Sequence, residues 1–159
     1  HISDATEAEN VVKAMRYPPF GDRGFSTSVR AFKYGMDVPK DMTKYSNPLF
    51  MAQIENYDGV KNVDSIAAVD GVDVLFVGPR DLGLDLSVRP KDRTYEFDDA
   101  ISRVAAAALK YGKQAGILVR DPDDIPKFRD MGFSALALGS DMGMLKSGYA
   151  SLLKKISSL

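Results

Sequence analysis

The sequence contains no cysteine, no tryptophan and a single histidine, which is its first residue. Without Cys there is no disulfide framework, no thiolate-held zinc or iron–sulfur cluster and no thiol nucleophile. Long apolar runs are absent as well: none approaches the ~20 residues that a membrane-spanning helix needs. The start, His1-Ile-Ser-Asp-Ala-Thr-Glu, is acidic and polar, unlike a secretory signal. Nor does one sign of charge dominate. Twenty-one basic and 22 acidic side chains leave a net charge of −1, and no local basic cluster stands out. Neither nucleic acid nor a membrane is therefore an expected partner. A cytoplasmic location is the expectation, although lack of Cys is compatible with any compartment.

What is present is the composition of a globular domain: 159 residues, 45% hydrophobic and 27% charged, enough to bury a sizeable core. The first apolar period is helical, from about Asp4 to Met15. Asp4 or Thr6 with Glu7 or Glu9 three residues on has capping-box spacing, and Ala8, Val11, Val12 and Met15 form a stripe. Pro18 and Pro19 end that helix. Residues 20–48 form a long segment rich in Gly, Pro and Ser. Its aromatics, Phe25, Phe32, Tyr34 and Tyr45, predict an ordered loop with a short helix near residues 29–34.

Beyond it the pattern becomes rhythmic. Strands are expected at 49–54, 72–77, 114–119 and 133–138, and helices at 59–69, 97–111, 121–131 and 144–156, with a loop after the second strand. Short apolar strands alternating with amphipathic helices imply a parallel sheet with helical crossovers. Two architectures fit: an open doubly wound sheet, or half of a (β/α)8 barrel. Both gather ligands at the carboxyl ends of the strands.

Polar residues cluster at those ends. Gln53-Ile54-Glu55 closes one strand and Gly78-Pro79-Arg80-Asp81 the next, so Glu55 and Asp81 stand one βα repeat apart. Parallel neighbours ~4.8 Å apart bring both carboxylates to one rim, where they repel unless a proton or a cation lies between them. An oxygen-only donor set with open positions suits Mg²⁺ or Mn²⁺. Alternatively, Glu55 pairs with a helix-borne Arg or Lys and Asp81 caps a turn. Arg120 and Asp141 also follow strands, where an ion pair or a helix cap is the expectation. A third constellation is Arg16-Tyr17-Pro18-Pro19-Phe20-Gly21-Asp22-Arg23-Gly24. Its prolines and glycines hold a defined shape carrying two guanidiniums. It reads either as a rigid loop recognising an acidic substrate or a neighbouring subunit, or as a turn whose Arg16 offsets a helix C-terminus. Gly78–Gly83 is no phosphate loop, because the Gly-Lys-Ser/Thr ending is missing.

Arg16-Tyr-Pro-Pro-x-Gly-x-Arg23-Gly, then Gln53-Ile-Glu55, then Gly71-Val-Asp-x-Leu-Phe-x-Gly78-Pro-x-Asp81-Leu82 strongly resemble the HpcH/HpaI aldolase family. That family includes the 2-oxo-3-deoxy acid aldolases and the macrophomate synthase type. The resemblance covers nearly the whole chain. It implies an α/β fold, here the C-terminal half of a (β/α)8 barrel with parallel strands five to eight and their crossover helices. Residues 1–159 would form one partial-barrel domain with 20–48 as a long loop within it. The implied reaction is metal-dependent class II aldol cleavage of a 4-hydroxy-2-oxo acid to pyruvate and an aldehyde.

The resemblance places the divalent metal, Mg²⁺ or Mn²⁺ with Co²⁺ also admissible, on Glu55 and Asp81. It assigns the backbone N–H groups around Arg80 and Asp81 to the pyruvate carboxylate, making Gln53, Gly78, Pro79, Arg80, Asp81 and Arg23 the expected substrate contacts. The acid–base His and the carbonyl-polarising Arg of the family fall upstream of His1, and His1 itself falls at the end of the fourth strand. The chain is accordingly expected to be part of a longer protein, its activity alone an open question. Gly83 departs from the Ser that commonly follows the Leu in the family, which loosens the expected turn. Homo-oligomers acting on a small 2-oxo acid are the implied assembly. Two alternatives stay open: a catalytically silent subunit that binds metal or 2-oxo acid, and a citramalyl- or malyl-CoA-type lyase.

Overall fold

Side-chain alternation along the strands decides which way the sheet faces. The computed structural model describes residues 1–45, 47–91 and 94–157. In β1 (Met51–Ile54) Ala52 and Ile54 are buried while Met51 and Gln53 are exposed, the period of two expected of a strand. β2 (Val74–Val77), β3 (Gln114–Val119) and β4 (Phe133–Leu138) follow in parallel, in the order β1-β2-β3-β4. Register sets Ala52 beside Leu75 and Ile54 beside Val77, then Leu75 beside Ala115 and Val77 beside Ile117. These rows form the buried face. They pack on α2 (Tyr57–Lys61), α3 (Val63–Ala67) and α5 (Phe97–Lys110), whose Val60, Ile66, Ile101 and Val104 are also fully buried. Each such Val, Leu or Ile contributes about 1.5–3 kcal/mol of burial.

A doubly wound sheet reverses direction at a switch point, whereas this sheet advances strand by strand, as a barrel does. The fold is thus α/β with a four-stranded parallel sheet, consistent with part of a barrel. The other face of the sheet is more open. There Gly116 leaves room for Phe76: a Cβ at Gly116 would stand 2.5 Å from Phe76 Cδ2.

Several elements depart from the sequence expectations. α1 (Ala5–Met15) is capped by Asp4, whose Oδ1 accepts the Glu7 N–H at 2.9 Å, while Glu7 Oε2 accepts from Ser3 N–H at 2.7 Å. The helix expected over 59–69 is two, broken at Asn62 (φ −97°, ψ 10°). Asn62 Nδ2 donates to the Ser3 carbonyl at 2.9 Å, and Asn56 Oδ1 caps α2 through the Gly59 N–H at 2.7 Å, while the Asn62 N–H still bonds the Asp58 carbonyl at 2.9 Å. These bonds hold the chain start against β1, where the Ile2 N–H donates to the Gln53 carbonyl at 2.8 Å.

The loop expected after β2 is instead α4 (Pro79–Ser87), with Gly78 as N-cap, Pro79 in the first turn, and Leu82 and Leu86 buried four residues apart. Gly83 lies inside that helix rather than in a loop. Before α6 (Ile125–Asp130) the chain makes a separate 3₁₀ turn, because Pro126 has no N–H to continue a helix from Pro122. α7 (Asp141–Ile156) starts one turn earlier than expected. Residues 20–45 and 47–48 are ordered as anticipated, with 3₁₀ turns at Arg30–Gly35 and Met42–Tyr45. An aromatic chain runs Tyr17, Phe25, Phe32, Tyr45 with ring centroids 6.1, 5.8 and 6.4 Å apart. Ser46 of that expected loop lies outside the described residues.

Candidate active site at the carboxyl ends of β1 and β2

Glu55 is the first residue beyond β1, on the open face with Gln53. Its carboxylate is only 14% exposed; Oε1 lies 3.6 Å from the His1 α-amino nitrogen and Oε2 accepts from Gln53 Nε2 at 2.6 Å. Gly78, the matching residue beyond β2, is where the geometry becomes specific. A Cβ there would collide with Glu55 Oε2 and stand 2.9 Å from Glu55 Cβ and 3.2 Å from Gln53 Nε2. The Glu55 carboxylate therefore fills the space a side chain would need. Gln53, Glu55 and Gly78 form one constellation, as the sequence places them.

The same Gly78 opens α4, so Asp81 sits in that helix's first turn. Asp81 is exposed and makes no ion pair or side-chain hydrogen bond among the described residues. The first-turn N–H groups of Arg80 and Asp81 have no intrahelical acceptor, as at any helix start, and point outward with the positive end of the helix dipole. The Leu82 N–H is already taken by the Gly78 carbonyl at 3.0 Å. The alternative pairing of Glu55 with a helix-borne Arg or Lys does not occur among the described residues.

No group of three or more His, Cys, Asp or Glu suited to a metal exists among the described residues. Of the two expected ligands, Glu55 stands just beyond β1 and Asp81 in the first turn of α4. Hard oxygen donors fit Mg²⁺ or Mn²⁺, which commonly take one or two carboxylates and leave the remaining positions to water and substrate. The lack of a side chain at Gly78 is what leaves room for the Glu55 carboxylate in this position.

Other expected residues fall elsewhere. Arg120 is exposed and has no ion pair among the described residues; it shares a cavity of about 280 Å³ with Pro79, Arg80, Leu118, Asp124 and Phe128. Asp121, not Arg120, caps the turn that follows, accepting the Asp123 N–H at 3.0 Å. Likewise Ser140 rather than Asp141 caps α7, through the Gly143 N–H at 3.0 Å. Arg23 is not brought to the site. Its guanidinium lies 4.8 Å from the Tyr17 ring centre, and its N–H donates to the Arg16 carbonyl at 2.9 Å. Arg16 in turn bonds Asp70 at 3.1 Å, in the turn before β2, so this segment is anchored at the opposite end of the sheet from Gly78. Arg16 is also the C-cap of α1, as the turn reading of this segment expects, with its guanidinium paired to Asp70.

Sequence reading missed a group beside the site. Asp85 on α4 accepts the Tyr57 N–H at 2.7 Å and takes both Nε and Nη2 of Arg89 at 2.9 and 3.1 Å. The Arg89 bonds hold the Asp85 carboxyl below the usual range despite its partial burial, and Asp85 raises the Arg89 guanidinium in return. Arg89 also covers the Tyr57 ring at 4.7 Å, and Tyr57 stacks on Tyr95 at 5.3 Å. The i, i+4 spacing of Asp85 and Arg89 was the available signal, concealed by the missing helix.

The parallel strand order defines an α/β protein of barrel-like topology. The chain belongs to the HpcH/HpaI aldolase/citrate lyase family, whose profile matches residues 1–147. It is 38% identical over 151 residues to 5-keto-4-deoxy-D-glucarate aldolases of Shigella boydii serotype 18 and Escherichia coli O139:H28, covering 95% of this chain and 59% of each relative. Among solved structures, a family protein from Burkholderia cenocepacia J2315 superposes with a TM-score of 0.85 at 31% identity, over 99% of this chain and 63% of that one. Macrophomate synthase superposes at 0.75 with 28% identity, over 99% and 57%. The chain thus spans less than two thirds of the length of these relatives. No helix among the described residues is long and apolar enough to cross a membrane.

Proposed function

We propose that this chain carries the metal- and pyruvate-binding rim of a class II aldolase that cleaves a 4-hydroxy-2-oxo acid to pyruvate and an aldehyde. In this reading β1 to β4 are strands five to eight of a (β/α)8 barrel, residues 1–159 one partial-barrel domain, and the acid–base His and carbonyl-polarising Arg lie on the preceding part of the barrel. The observation that carries the proposal is the Glu55 carboxylate seated over Gly78, beside the helix start that bears Asp81.

Glu55 and Asp81 hold the divalent ion, Mg²⁺, Mn²⁺ or Co²⁺. When bound, the ion supplies positive charge that offsets the negative charge developing on the substrate as the carbon–carbon bond breaks. The remaining work belongs to the chain. Gln53 fixes Glu55 through its amide, the Arg80 and Asp81 N–H groups at the start of α4 receive the substrate carboxylate, and Pro79 sets the path into that turn. Arg80 adds positive charge at the same rim. Arg23, at the far end of the sheet, serves a neighbouring subunit of a homo-oligomer rather than its own site. A cytoplasmic setting suits a small 2-oxo acid substrate.

The test is Mn²⁺ binding to the chain, read by water-proton relaxation, followed by exchange of the pyruvate methyl protons for deuterium by the complete barrel that also carries the acid–base His. Glu55→Ala should abolish both. Mn²⁺ binding without exchange would assign the chain to a silent metal-binding role, and no Mn²⁺ binding at all would overturn the site. Inhibition by coenzyme A thioesters would redirect the substrate toward a citramalyl- or malyl-CoA-type lyase.

A further inference from the structure

Glu55 and Asp81 come from different elements, a strand end and a helix start, so something must hold the two at a constant separation. The turn carrying Glu55 continues through Asn56 to Tyr57. Asn56 is committed on one side, capping α2 and donating to Ser3 Oγ at 2.9 Å. On the other side the Tyr57 N–H reaches across to Asp85 Oδ2 at 2.7 Å. Asp85 stands four residues after Asp81 on α4, one turn along the same side of the helix. Beyond the sheet bond from the Gly78 N–H to the Ile54 carbonyl at 3.2 Å, the Tyr57–Asp85 hydrogen bond joins the turn of one carboxylate to the body of the helix that bears the other.

That bond is reinforced twice over. Arg89 grips both Asp85 oxygens, and charge-assisted forked pairs of this kind are the stronger and more directional hydrogen bonds. The same guanidinium lies over the Tyr57 ring and 3.8 Å from Asp58 Oδ2, so it spans α4 and α2 together. Tyr95, stacked on Tyr57 and covered in turn by Arg103 at 5.2 Å, closes the far side of the ring.

We propose that Asp85 and Arg89 are positioning residues that clamp the Glu55 turn onto α4 and so set the gap between the two metal-binding carboxylates. The proposal rests on the metal reading given above. It predicts an effect on ion affinity separate from any effect on stability, because the clamp joins the two donors and not the core.

The experiment measures the Mn²⁺ dissociation constant and the urea midpoint for the wild-type chain, Asp85→Ala, Asp85→Asn and Leu86→Ala. Loss of outer partners to metal ligands weakens affinity about 10–100-fold. Asp85→Ala should weaken Mn²⁺ binding at least tenfold. Asp85→Asn, which keeps an acceptor for the Tyr57 N–H, should fall between it and the wild type; it also serves if the alanine variant fails to fold. Leu86→Ala removes a buried side chain from the same helix and should lower the urea midpoint with an unchanged dissociation constant. Amide exchange at Tyr57 should accelerate in Asp85→Ala while β1 amides stay protected. A wild-type chain that binds Mn²⁺, with Asp85 variants binding equally well, overturns the clamp alone. A wild-type chain that takes up no Mn²⁺ overturns the metal reading and the positioning role with it. Equal loss of affinity in Leu86→Ala would reduce Asp85 to a stabilising residue and also overturn the clamp.

Discussion

A methyl group at position 78 would occupy the space where the Glu55 carboxylate lies, so this glycine is required by its neighbour rather than by its own backbone. Its φ of −92° is open to any residue. Gly78→Ala should therefore leave the helix start intact while forcing Glu55 aside. The expected result is a fall in Mn²⁺ affinity of about tenfold or more with a nearly unchanged urea midpoint, read on the same sample by relaxation and by circular dichroism. An unchanged affinity would mean that Glu55 yields freely and that the glycine is not needed. The Glu55–Gln53 bond shows the same economy: the amide of one candidate residue orients the other.

At the scale of elements, α4 carries the argument. It delivers Asp81 at its start and Asp85 and Arg89 at its far end, and Leu82 fixes its position by lying completely buried one residue after Asp81. Removing most of such a side chain costs about 2–5 kcal/mol through lost burial and the cavity left behind. Leu82→Ala should lower the urea midpoint accordingly. Mn²⁺ affinity should also fall, since the helix bearing one donor loses its anchor. Leu86→Ala, four residues farther along the helix, separates the two effects. The 3₁₀ turn before α6 belongs to the same scale: it comes from one residue, Pro126, which has no backbone N–H to continue the helix.

Over the whole molecule, burial is one-sided. The face of the sheet under α2, α3 and α5 is closed, whereas Met51 is 41% exposed on the other face and every residue of α7 is exposed, Met142, Leu145, Tyr149, Leu152 and Ile156 included. Apolar surface of this extent promotes association, and the outer edge of β4 has no strand partner among the described residues. Sedimentation velocity at micromolar concentration should show species heavier than the 17.4 kDa monomer, with enhanced fluorescence of an apolar dye. A clean monomer without dye binding would contradict this account of the surface.

The βα rhythm, the four strands and the placing of Glu55 and Gly78 just beyond neighbouring strands were legible in the sequence, because side-chain periodicity and the spacing of one crossover repeat are local properties. Strand boundaries came within two residues. α4 was not legible: Gly78, Pro79 and Gly83 read as loop residues until Leu82 and Leu86 are seen to meet the core. Arg23 looked like a site residue because its chemistry suits a carboxylate, yet Arg16 and Asp70 tie its segment to the other end of the sheet. The sequence alone determined which residue types stand after which strands. Only the tertiary structure decided which of them meet, since Glu55 rests on Gly78, and Tyr57 on Asp85, through parallel pairing and helix packing that bring distant stretches of chain into contact.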